Sequence, residues 1–381
     1  MTPETAPATP AATTPAATTP ATTTPATTPA TTPASGPPPS GPPPSGGPGP
    51  GRLPTMEDVL AARERLAGEV VRTPVLRHPL LDRLTGGRIL LKAEPLQRTG
   101  SFKLRGATSA IRALGEAERA RGVVTFSSGN HGQAVACAAA GVGARATVFM
   151  PTDAPAIKVE STRRWGAEVV QYDRATQDRE AMAAAHIART GAVLIPPFDA
   201  VEVIAGQASA ALELAEDAGE MLDALMVPAG GGGFIAGCAL AMAAVSPATR
   251  IVAVEPEGWD DTSRSLAAGE RLAAPGGSLL CDALLAPRPG ALTFAINRRL
   301  LAGALVVTDA EVLAAIAFAF RHLKVVVEPG GAVCLAALLA GRLDARGRTV
   351  GAVLSGGNID PATFQRALAA AVADPPPDDR K

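Results

Sequence analysis

Five of the 35 basic residues are lysines, at Lys92, Lys103, Lys158, Lys324 and Lys381, and a lysine amine, unlike a guanidinium, can condense with a carbonyl to form a Schiff base. Lys103 stands apart by context. It lies in Gly100-Ser101-Phe102-Lys103-Leu104-Arg105-Gly106, at a turn-to-helix junction beside an aromatic ring able to pack on a planar ligand. The other four have plainer explanations: Lys92 falls inside a strand, Lys158 on an exposed helix face, Lys324 near a helix C-terminus where the dipole favours a cation, and Lys381 in the terminal tail. A second segment, Val227-Pro228-Ala229-Gly230-Gly231-Gly232-Gly233, ends a strand and opens a helix. Its glycines let backbone amides approach an anion closely, and the helix dipole favours a phosphate there. Gly231, Gly233 and Ala236 also fit the glycine spacing of a dinucleotide site, with Glu255 closing the next strand, so this loop alone does not choose between two phosphate-bearing cofactors. A third, Ser127-Ser128-Gly129-Asn130-His131-Gly132, gathers hydroxyls, an amide and free N–H groups at a helix start. It suits a carboxylate, or else Ser128 or Asn130 merely caps the helix while His131 packs. The fourth, Ser355-Gly356-Gly357-Asn358, offers a hydroxyl at a strand end or forms an ordinary turn.

These four turns need elements to hold them. From Thr55 onward short apolar runs alternate with longer amphipathic stretches, the pattern of parallel strands joined by crossover helices. Strands are expected at 89–93, 123–126, 146–150, 169–172, 192–195, 224–227, 251–254 and 350–354, with helices between them and a last helix ending near Ala373. The first helix is expected to begin at Thr55, with Asp58 returning toward the cap. The result is an open α/β fold, in which ligands gather beyond the carboxyl ends of the strands. All four turns follow such strands. Residues 1–52 are almost only Thr, Pro, Ala, Gly and Ser, and are expected to form a disordered tail because they bury too little apolar surface to offset ordering entropy.

Composition narrows the partners. A formal charge of -1 gives no electrostatic reason to expect nucleic acid or an anionic membrane, and no apolar run is long enough to span one. Cys137, Cys238, Cys281 and Cys334 are widely spaced and form no metal-ligand pattern, so they read as reduced packing residues. The expected location is the cytoplasm, and the expected partner a small neutral molecule.

Taken together the segments are similar to those of a known family. The chain from about 53 to 373 resembles the serine/threonine dehydratases and serine racemases among the fold type II pyridoxal-phosphate enzymes. Ser101-Phe102-Lys103, Ser127-Ser128-Gly129-Asn130-His131, Pro228 to Gly233, Glu328-Pro329 and Ser355-Gly356-Gly357-Asn358 occur in that family's order and close to its spacing. The resemblance implies two open parallel-sheet α/β lobes with pyridoxal 5'-phosphate between them. The large cofactor lobe would comprise 53–121 and 200–373, the small mobile substrate lobe 122–199, and a second tail 374–381. Lys103 would form the internal aldimine and, once released by substrate, remove the α-proton. Phe102 would lie against the pyridine ring, Asn130 would bond the ring hydroxyl, and Gly230, Gly231, Gly232 and Gly233 would hold the phosphate. Ser127, Ser128, Gly129, Asn130 and His131 would bind the substrate carboxylate. Ser355 would face the pyridine nitrogen, and a hydroxyl does not keep that nitrogen protonated, which favours elimination over transamination.

The resemblance further implies a small hydroxy amino acid as substrate and a homodimer or homotetramer. The expected reaction is α,β-elimination, turning L-threonine into 2-oxobutanoate and ammonia and L-serine into pyruvate. Ser128 stands where racemases of this family carry their opposite-face base, which leaves serine racemisation open, and 3-hydroxyaspartate is a further candidate substrate. The family's divalent cation site uses a Glu, a carbonyl four residues on and an Asp six on. Glu213 with the carbonyl of Asp217 meets the first two requirements, but Gly219 stands where the Asp is wanted.

Overall fold

The computed structural model describes residues 52–369. Apart from Arg52, both expected tails and the expected helix end near Ala373 lie outside the described residues. The first helix, Met56–Leu66, starts as expected: Thr55 and Asp58 form a reciprocal cap, with the Thr55 amide donating to Asp58 Oδ2 at 2.8 Å.

Ten strands are present among the described residues: β1 (Val75–Leu76), β2 (Arg88–Ala93), β3 (Val123–Phe126), β4 (Ala146–Pro151), β5 (Glu168–Tyr172), β6 (Val193–Leu194), β7 (Ala224–Pro228), β8 (Arg250–Pro256), β9 (Leu301–Val307) and β10 (Thr349–Leu354). They form two sheets, one ordered β1-β2-β10-β7-β8-β9 and one ordered β5-β4-β3-β6. Every pairing is parallel except β1 with β2. The four-stranded sheet uses only strands between Val123 and Leu194, and the six-stranded sheet takes strands from either side of that stretch.

The six-stranded sheet is apolar on both faces, which is why its strands read as continuous apolar runs. Ile89 and Leu91 of β2 join Met226, Val254 and Leu354 beneath the helices Asp309–Phe318 and Pro329–Leu339. Leu90, one residue out of phase, joins Leu225, Ile251 and Val353 beneath Val201–Ala218 and Gly233–Val245. Two strands depart from expectation. β1 has only two residues, too few to show alternation, and β9 carries Gly303 and follows the helix Ala291–Leu300 with no breaker between them. A register shift between Ile251 and Val252 leaves Ala302 without a partner and pairs Gly303 with Val252.

The helix Lys103–Ala113 lies between the two sheets, packing on Asn130–Ala140 from one lobe and Val201–Ala218 from the other. Its register is held by Arg105, whose side chain is completely buried. The Arg105 guanidinium donates through Nε and Nη2 to Glu94, both at 2.9 Å, and through Nη1 and Nη2 to Glu213 at 2.7 and 2.8 Å. Lys92 is in a strand as expected but is also fully buried, donating to Glu213 Oε2 and to the Thr73 carbonyl, each at 2.7 Å. Two carboxylates and two cations thus neutralise one another while joining β2, the Lys103 helix and the Val201–Ala218 helix. Cys137, Cys238, Cys281 and Cys334 are buried and unpaired. No helix among the described residues is long and apolar enough to cross a membrane.

Removing one member of a buried ion cluster leaves its partners charged and uncompensated. Arg105→Met is therefore expected to lower the free energy of unfolding by about 3–5 kcal/mol, read from the shift of the urea unfolding midpoint.

Candidate active site

The four expected turns converge. Phe102, Lys103, Ser127, Ser128, Gly129, Asn130, His131, Gly231 and Ser355 all line one cavity of about 290 Å³ at the carboxyl ends of β2, β3, β7 and β10. Backbone bonds stitch the turns together. The Phe102 amide donates to the Ser355 carbonyl at 3.1 Å, the Gly357 amide to the Gly100 carbonyl at 2.9 Å, and Ser101 forms a bridge with Gly356.

Lys103 opens its helix with the amine pointing across the cavity, where Nζ donates to the Pro197 carbonyl at 2.8 Å. Burial pushes this amine down to about 8, and the negative charge of Glu328 opposes the shift. It therefore gives up its proton far more readily near neutral pH than an ordinary lysine. Phe102 presents a ring to the same cavity and is backed by Phe234, with ring centroids 3.9 Å apart and planes within 8°. Sequence reading missed Phe234. An aromatic residue in the first turn after the glycine run was the available signal.

The glycine loop leads into the helix Gly233–Val245, with Gly232 at φ 88° as its cap. A side chain at that position would meet Asn297 Nδ2 at 2.8 Å. The Gly231 carbonyl accepts from Thr293 Oγ1 at 2.7 Å and from the Gly290 amide at 3.1 Å. Among the described residues, the amides of Gly230, Gly231 and Gly232 donate to no protein acceptor. Unengaged amides at a helix N-terminus form a cradle for an anion.

At the Ser127 turn, the Ser127 hydroxyl accepts from the Gly129 amide at 3.1 Å, and Ser128 is half-buried on the cavity wall. His131 is buried, which pushes its pKa down to about 3, and Lys103 adds to the shift. The ring is neutral; its Nε2–H donates to the Ile195 carbonyl at 3.0 Å, and Nδ1 is left as an acceptor without a partner. Asn130 accepts at Oδ1 from Asn358 Nδ2 at 2.9 Å and donates from Nδ2 to Glu328 Oε1. Ser355, buried at the end of β10, has its hydroxyl 3.5 Å from the Gly330 carbonyl.

Two cations of the cavity were not foreseen. Lys158 is not on an exposed face: it is 3 % exposed, lines the cavity and pairs with Asp282 Oδ2 at 2.6 Å and Glu328 Oε2 at 3.3 Å. Both acceptors come from distant segments, so helix periodicity carried no sign of them. Arg179, at the start of the helix Arg179–Thr190, lies 5.0 Å from the Phe126 ring centroid and also lines the cavity. Among the described residues it forms no ion pair.

At Glu213, where the sequence met only two of the three cation-site requirements, the carboxylate is engaged elsewhere. Both its oxygens are taken by Arg105 and Lys92, and the neighbouring Asp217 side chain accepts from Arg72 at 2.5 Å. No group of three or more His, Cys, Asp and Glu among the described residues is arranged for a metal. Two other carboxylates do meet the Glu, carbonyl four on, Asp six on spacing: Glu255 and Asp261, with Trp259 between them. Both are fully buried, and both Asp261 oxygens lack any partner. Burial raises Glu255 to about 8, with Asp261 adding to the rise, and burial raises Asp261 to about 7. Glu255 accepts from the amides of Thr262 and Ser263 at 2.8 Å each.

A pyridine aldehyde phosphate fits this cavity: a low-pKa amine for the aldehyde, an aromatic face for the ring, free amides for the phosphate and a neutral hydroxyl at the far end. Known proteins agree. Residues 66–356 match the family model described as pyridoxal-phosphate dependent enzyme. The chain is 45 % identical over 309 residues to the L-threo-3-hydroxyaspartate ammonia-lyase of Pseudomonas sp, covering 81 % of this chain and 97 % of that one. It is similar to the solved threonine deaminase of T.th. (TM-score 0.75, 46 % identity, 81 % of this chain and 99 % of that one). It is also similar to maize serine racemase (TM-score 0.79, 38 % identity, 83 % and 97 % covered).

The amine must be unprotonated to attack an aldehyde. The rate at which pyridoxal 5'-phosphate loads onto cofactor-free protein should therefore rise with pH and level off above about 8, well below the range of an ordinary lysine. Lys103→Ala should abolish the absorption band of the lysine-bound cofactor; stopped-flow absorbance checks both outcomes.

Proposed function

The chain belongs to the fold type II pyridoxal-phosphate-dependent enzymes, the group of ammonia-lyases and racemases acting on small amino acids, and from that membership we propose that it is a 3-hydroxyaspartate ammonia-lyase. The observation that carries this reading is Arg179. Of the cations on the cavity wall, Lys103 is committed to chemistry and Lys158 is already paired with two carboxylates, whereas Arg179 has no counter-ion and rests on the Phe126 ring. A substrate with a second carboxylate supplies that counter-ion through charge-assisted hydrogen bonds. Threonine and serine do not, so the expectation that threonine is preferred gives way to the dicarboxylic alternative. The 45 % identity to a hydroxyaspartate ammonia-lyase supports the same choice.

The cofactor, when bound, supplies the electron sink that makes the α-proton acidic. This chain's residues do the rest. Lys103, its amine lowered to about 8, holds and removes that proton as a base poised close to neutral pH. The Ser127 turn receives the α-carboxylate, Arg179 the β-carboxylate, and the two together fix which side of the α-carbon faces Lys103. The amides of Gly230 to Gly233 hold the phosphate. Ser355, on the cavity wall, would offer the ring nitrogen a neutral partner, which favours loss of the β-hydroxyl over transamination. A second reading, racemisation of serine, rests on the Ser128 hydroxyl in the same cavity. Chiral chromatography after incubation with L-serine decides it.

Glu255, Asp261 and the Trp259 carbonyl are further proposed to hold a divalent cation, because the two Asp261 oxygens, buried without partners, are otherwise unfavourable. Magnesium or calcium should then raise the melting temperature of the enzyme, and Asp261→Asn should remove that rise.

Ammonia release from a substrate panel tests the main reading. L-threo-3-hydroxyaspartate should give the highest kcat/KM, and Arg179→Met should lower it roughly 10- to 100-fold while changing threonine and serine turnover little. Equal loss on all substrates, or a clear preference for threonine, would sink the proposal.

A further inference from the structure

Lys158 belongs to the helix Ala156–Arg164, which follows β4 of the four-stranded sheet. Its two carboxylate partners belong to the other lobe. Asp282 lies in a short turn of helix after the β8 region, and Glu328 caps the helix Pro329–Leu339 beneath the six-stranded sheet. Glu328 in turn meets two helices of the four-stranded sheet's stretch: one oxygen accepts from Asn130 Nδ2, the other faces the Lys158 ammonium at 3.3 Å. The path of this lysine is enforced. Its Cδ sits 2.5 Å from where a side chain on Gly129 would begin, and because its tip is anchored by two carboxylates the chain has nowhere to swing.

The charge state of Glu328 decides what Asn130 presents. An ionised carboxylate only accepts, so it must face the Nδ2 end of the amide, and Oδ1 is left to accept from Asn358. One Nδ2 hydrogen then remains for the oxygen of the cofactor ring. A neutral carboxyl could donate instead and would tolerate the flipped amide, which would offer that oxygen a lone pair. Burial holds Glu328 above the ordinary carboxylate range, and Lys158 is the largest influence pulling it back toward the ionised form. Lys158 itself is held protonated by Glu328 and Asp282 against the effect of burial.

We propose that Lys158 is a positioning residue that ties the two lobes across the active site and, through Glu328, fixes the Asn130 amide with its N–H toward the cofactor ring oxygen. The inference rests on the cofactor being held at Lys103 and not on the choice of substrate. Lys158 transfers no proton and touches no reacting atom; it acts through Glu328.

The test uses holoenzyme of wild type, Lys158→Met, Lys158→Arg, Glu328→Gln and the Lys158→Met/Glu328→Gln double variant. Readouts are the absorption band of the bound cofactor, kcat and KM per loaded site, and hydrogen exchange of residues 130–164. Lys158→Met should displace the band, lower kcat on the order of 10- to 100-fold and speed exchange in that stretch. Glu328→Gln should do the same, the double variant should be no worse than either single one, and Lys158→Arg should recover most of the loss. Where Lys158→Met loads cofactor poorly, the isosteric Glu328→Gln carries the comparison. A Lys158→Met enzyme with lower melting temperature but unchanged band, kcat and exchange would reduce Lys158 to a purely structural pair and overturn the proposal, as would additive losses in the double variant. Failure of the wild type to bind cofactor would instead overturn the reading of Lys103, and loss of the dicarboxylate preference alone would bear only on Arg179.

Discussion

A guanidinium shielded from water on every side has to keep its carboxylates, and the position of Arg105 therefore governs much of this molecule. Glu94 follows β2 and Glu213 comes from the long helix Val201–Ala218, so satisfying one side chain requires both to be in place. Lys103 lies two residues before Arg105 on the same helix, and its amine inherits that placement. Bidentate geometry adds direction to the attraction, because a fork accepts a carboxylate in only one plane. Lys103 is thus located by a charge cluster it never touches.

The cavity built around that lysine holds three kinds of nitrogen group. Lys103 is near its point of deprotonation because burial disfavours its charge, His131 is neutral for the same reason, and Arg179 presents a guanidinium without an ion-pair partner among the described residues. One group can accept a proton, one can accept a hydrogen bond, and one can only attract an anion. That division assigns roles without any motion of the protein.

The parts legible in the sequence were those encoded over a few neighbouring residues. The run of glycines, the serine-rich helix start and the apolar strands around them each carry their meaning locally, and the four turns met where the strand ends required. What tertiary contact decides was not legible. Lys158 reads as a surface residue until Asp282 and Glu328, more than a hundred residues away, arrive beside it. Arg179 looks like any helix-start cation, and only the cavity shows that it lacks a partner. Glu213 was chosen for its spacing, whereas Glu255 and Asp261 satisfy the same spacing and Asp261 keeps both oxygens free. Periodicity also failed where it had little to work on, in the two residues of β1 and the glycine-interrupted β9.

The small antiparallel β1 has a consequence beyond the active site. Without it, β2 would present a long, straight, apolar ladder of unpaired backbone groups at the edge of the large sheet, an open template for strands of other chains. Val75 and Leu76 cover part of that ladder in the opposite direction, and the chain then turns away through Arg77 and His78 into the helix Pro79–Thr85. A two-residue strand is too short to recruit a further strand itself. The fold thus guards its exposed flank against aggregation with a fragment that contributes almost nothing to the sheet it borders.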